Sequence, residues 1–61
     1  MYRIVIKKGT NVQQWKKNNS MDRKWVTLLA DVETESKYVY GAYIYKIGKQ
    51  MYSVPASMIE N

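Results

Sequence analysis

The chain opens with Y-R-I-V-I-K, in which Tyr2, Ile4 and Ile6 alternate with Arg3, Val5 and Lys7. Period-two alternation of β-branched and aromatic residues predicts a strand with one buried face. Gly9 and Thr10 end it, and N-V-Q-Q-W-K-K-N-N-S-M-D-R follows, polar and asparagine-rich, with Val12 and Trp15 three apart. This stretch, about residues 9–23, predicts a long first loop or one helical turn, pinned in either case by Trp15 as a structural anchor. K-W-V-T-L-L-A-D-V-E alternates again, setting Val26, Leu28, Ala30 and Val32 against Trp25, Thr27, Leu29 and Asp31. It predicts a second strand, closed by the polar turn T-E-S-K.

Y-V-Y-G-A-Y-I-Y-K-I is rich in the residue types that suit a pleated surface and predicts a third strand. Gly41 in its middle implies a bulge or a bend where the sheet coils. G-K-Q is the next turn, and M-Y-S-V a fourth strand. Pro55 then stops it, P-A-S-M fits one helical turn with proline at its start, and Ile59 to Asn61 is left as a very short closing strand or tail. The pattern is all-β: four to five short antiparallel strands in one domain spanning residues 1–61. So short a meander cannot form a two-layer sandwich, and a small barrel would cover its edges.

The segment S-V-P-A-S-M-I-E resembles the end of Src-homology 3 domains, where a strand, one 3₁₀ turn and a closing strand follow one another. Val54, Pro55, Ala56, Ser57, Ile59 and Glu60 stand in matching places, and Ala42, I-G-K-Q and M-Y-S-V resemble the preceding hairpin. The resemblance implies an SH3-like barrel with a long first loop, in which Pro55 and Ile59 are structural. It does not carry over proline-rich-peptide binding: Met58 replaces the groove's tyrosine, Val39 or a neighbour its tryptophan, and the long loop is basic instead of acidic.

Composition narrows the function. With 61 residues the core is thin, and without cysteine or histidine neither disulfides nor the usual structural zinc site can reinforce it. The same absences remove the common nucleophile and general base, so no catalytic residue is assigned and the chain is not expected to be an enzyme. Asp31, Glu33 and Glu35 lack the loop and spacing of a calcium site and are expected to be a solvated strand end. No cofactor and no metal is expected. No stretch has the length of a membrane span and the N-terminus carries no signal-peptide pattern, so a cytoplasmic protein away from membranes is expected.

Net charge is +5 and unevenly spread: residues 1–30 hold seven cations and one carboxylate, residues 31–61 three cations and four carboxylates. Such asymmetry points to a polyanionic partner. The expected binding residues are Trp25, Tyr43 and Tyr45, on strand faces opposite the core, bordered by Lys7, Lys16, Lys17, Arg23, Lys24 and Lys46. Two partners fit them. One is a larger protein, which an acidic surface would suit, held by aromatic and arginine anchors as a small regulator or inhibitor of the phage or mobile-element type would hold it. The other is DNA or RNA, held by phosphate neutralisation and base stacking. The chain itself would be a monomer or a small homo-oligomer.

Overall fold

The computed structural model describes residues 1–17 and 19–59, with only the backbone of Ser20. Six antiparallel strands form one sheet: β1 (Tyr2–Ile6), β2 (Asn11–Lys16), β3 (Asn19–Thr27), β4 (Val32–Val39), β5 (Ala42–Ile47) and β6 (Gln50–Pro55). A 3₁₀ turn, Ala56–Met58, follows. The order across the sheet is β1-β4-β5-β6-β2-β3, so among the described residues β1 and β3 are the edges and the sheet is open, without the closure expected of a barrel.

The sheet is nevertheless strongly curled. Four inter-strand steps separate β1 from β2, about 19 Å in a flat sheet, yet Ile4 and Ile6 share one core cluster with Val12, Tyr45 and Val54. Curling occurs because β4 changes neighbours along its length: Val32–Ser36 pair with β1, and Lys37–Val39 with β5. Val26, Leu28, Val32, Tyr43, Tyr52 and Ile59 pack around the cluster on the same concave side. Among the described residues Ile6, Val12 and Val54 are the largest side chains that are completely enclosed, each worth roughly 1.5–3 kcal/mol of apolar burial.

Several expectations change. The stretch 9–23 is no long loop: it contains β2 and the first half of β3, a hairpin whose polar side chains face water and so left little alternation to see. T-E-S-K lies inside β4, and the second expected strand breaks at Leu28–Asp31. Gly41 is not a mid-strand bulge. Val39 pairs with Ala42 across a two-residue turn, with Tyr40 at φ 49° and Gly41 at φ 83°, and positive φ at both central residues marks type I′.

Gly48–Lys49 make the next two-residue turn, between Ile47 and Gln50, with Gly48 at φ 61° as type II′ requires. Pro55 ends β6 opposite Ala42 and caps the 3₁₀ turn instead of opening it. The Ala56 N–H donates to the Gly41 carbonyl at 2.8 Å and ties that turn to the β4–β5 hairpin. Ile59 packs on the core outside any strand, and Glu60 and Asn61 lie outside the described residues.

Candidate functional site on the convex face

A curled single sheet has a second side. Strand alternation sends Trp25, Gln13, Ser53, Ile44 and Lys37 to the convex side, where register aligns them as one row across β3, β2, β6, β5 and β4. Arg23 and Trp15 pair beside that row, as do Met51 and Lys46 on the same side of it. Val39 and Ala42 pair on its other side. The pleat thus places apolar groups and cations together on a surface that no second layer of the described residues covers.

Trp15 is held down on this face. Its Nε1–H donates to Ser53 Oγ at 3.1 Å, and Ser53 is itself 4% exposed. The Ser53 hydroxyl in turn donates to Gln13 Oε1 at 3.4 Å. The Gln50 side-chain amide donates to the carbonyls of Trp15 and Met51. Trp15 is therefore held at both main chain and ring. Trp25 is free by comparison, 57% exposed. Between β3 and the tip of the β4–β5 hairpin runs a groove of about 440 Å³, lined by Gln13, Arg23, Val39, Ala42, Ile44 and Pro55, with Tyr40 at its end.

The expected binding residues divide. Trp25, Arg23 and Lys46 share the convex face. Lys24 lies on the other side of β3 by alternation. Lys7 pairs with Asp31 at 3.8 Å beyond the end of β1, and Lys16 with Asp22 at 3.9 Å. Both pairs are exposed and together contribute little to stability. Lys17 sits just after β2 at φ 54°.

Tyr43 and Tyr45 are on the opposite side from the one expected. Tyr45 is 3% exposed and stacks on Tyr52, ring centroids 5.2 Å apart, while Tyr43 meets Tyr2 and Tyr38 edge-on at 6.0 and 5.2 Å. A single sheet needs large side chains to fill its own concavity, so the rings go inward and Ile44 is displaced outward. Burial, with the Tyr52 hydroxyl adding to it, pushes the Tyr45 phenol up to about 12. Its oxygen has no hydrogen-bond partner among the described residues.

Gln13, Trp15, Lys37, Ile44 and the Tyr40 turn were missed as parts of this surface. The Q-x-W spacing of Gln13 and Trp15 was a legible signal, since two residues apart on a strand share a face. Among the described residues no three His, Cys, Asp or Glu side chains group as a metal site. No helix is long and apolar enough to cross a membrane. Comparison with protein-family models, with curated proteins and with solved structures gave no match.

Proposed function

We propose that this protein is a non-catalytic binding module that acts by occupying a larger protein, with the convex face as its contact surface. The observation that carries this reading is the half-exposed Trp25 beside Arg23 and an apolar groove, on a sheet face without a covering layer. Tryptophan and arginine are the residue types most enriched where protein interfaces concentrate their energy. Arg23, Lys37 and Lys46 on the same face favour an acidic partner over a second copy of this chain, whose own cations would be brought opposite them. The β6 and 3₁₀ arrangement supports a layout akin to SH3-like domains, with the sheet left open.

Affinity capture with the 61-residue chain from cells that express it, compared with Trp25→Ala and Arg23→Ser variants, tests the proposal. A protein retained by the parent chain and released by both substitutions is the expected result. Equal retention by all three would remove the convex face from consideration. Titration into labelled single- and double-stranded DNA and RNA at two salt concentrations separates the competing reading: binding that weakens steeply with salt would favour nucleic acid.

A further inference from the structure

The free edge of β3 adjoins the convex face, and its unpaired groups follow from the register. Leu28 N–H donates to the Thr10 carbonyl at 3.0 Å and the Leu28 carbonyl accepts from Gly9 N–H at 2.9 Å, so both peptide groups of Leu28 face the start of β2. Antiparallel ladders alternate hydrogen-bonded pairs with non-bonded ones, so Val12–Val26 and Gln14–Lys24 are bonded and the pairs between them are not. The peptide groups of Thr27, Trp25 and Arg23 therefore point away from β2, along an edge with no neighbouring strand among the described residues. Their side chains lie on the convex face. One row of backbone donors and acceptors thus runs beside the exposed Trp25 ring and the Arg23 guanidinium.

We infer that this edge binds an extended acidic peptide segment of the partner protein, added to the sheet as a strand beside β3. The inference rests on the proposed function and names its mode of recognition. Main-chain bonds to Arg23, Trp25 and Thr27 supply affinity, and alternate side chains of the added strand reach Trp25 and Arg23 on the convex side. Charge selects the occupant. The β2–β3 hairpin carries Lys16, Lys17, Arg23 and Lys24 against Asp22 alone. Two copies joined edge to edge would bring two such hairpins together, whereas glutamates in the added strand would neutralise them. At the other edge, β1, Arg3 pairs with Glu33 at 3.4 Å and Glu35 lies alongside, so that edge lacks the cationic excess of the β2–β3 hairpin.

The test uses a capped peptide of alternating Glu and Val residues, titrated into the isotope-labelled 61-residue protein, with a lysine-for-glutamate peptide as the control. The expected result is saturable binding in which the amides of Arg23, Trp25 and Thr27 shift and become protected from exchange, with binding by the lysine peptide weaker by about tenfold or more. Chemical synthesis of the chain with an N-methylated Trp25 amide removes the edge donor and keeps the indole. It should also weaken binding about tenfold, and its amide spectrum verifies the fold.

Absence of peptide binding, or shifts confined to β1 or the concave side, overturns the inference. So does protection of the three edge amides before peptide is added, with sedimentation showing a dimer, because a second copy then holds the edge. If the captured partner is lost on Trp25→Ala but not on N-methylation, docking is by the face alone: the proposed function stands and strand addition fails. If neither change releases it, the proposed function fails as well.

Discussion

Tyr40 holds the first central position of the β4–β5 turn at φ 49° and is fully exposed. A non-glycine residue in the left-handed region costs about 1 kcal/mol, and asparagine bears it best. Tyr40→Asn should therefore raise stability by about 0.5–1 kcal/mol, read as a higher denaturation midpoint. If Tyr40 contributes its ring to the groove, the same change weakens partner binding. Tyr45 tests the opposite side of the sheet. Its ring fills the core while its hydroxyl lacks a partner among the described residues, so Tyr45→Phe should be neutral or stabilising by about 1 kcal/mol.

The sign of the Tyr45 pH effect follows from the raised value. An unfolded tyrosine ionises near 10, whereas the folded group retains its proton to about 12. Its share of stability is complete below pH 10 and is lost as pH rises from about 10 to about 12. Thermal unfolding across that range should show a decline that Tyr45→Phe lessens. An identical decline in both proteins would place the titration elsewhere.

At the scale of elements, the alternating strands were legible and the polar ones were not. β1 and β6 declared themselves because Ile4, Ile6 and Val54 are apolar at buried positions. β2 was hidden because only Val12 reaches the core, while Gln13, Gln14 and Trp15 are half-exposed and Lys16 exposed. The β4–β5 turn was hidden by Tyr40, since the usual Asn-Gly signal is absent. The candidate site was legible in part: Trp25 could be placed outside from spacing, whereas Arg23 fell in the stretch read as a loop, and Tyr43 and Tyr45 depended on a turn position that shifts by one element when Gly41 is read as strand. At this scale, Pro55→Ala should cost less than about 1 kcal/mol, chiefly through the unfolded chain. Ile59→Asn should cost several times more, by placing an amide against the core. Comparable losses in denaturant titration would show that Ile59 contributes no packing.

For the whole molecule, stability rests on few side chains. Val12 is fully buried where the β2–β3 hairpin meets the rest. Val12→Ala should cost about 2 kcal/mol, a large share of what so small a domain possesses. Trp25→Ala, on the convex face, should leave the melting temperature nearly unchanged while reducing partner binding. A marked drop in melting temperature would show that the indole packs instead of binding.

The position of β6 has a further consequence. Among the described residues it is the last strand in sequence, yet it lies between β5 and β2 and is the one strand that joins the β2–β3 hairpin to the others. During synthesis the hairpin and its convex tryptophan are made early and must wait, undocked, until Gln50–Pro55 leave the ribosome. Ser53, Val54 and Pro55 of β6 line the convex groove, so a protein cut short before Gln50 would carry Trp25 and Arg23 without the groove beside them.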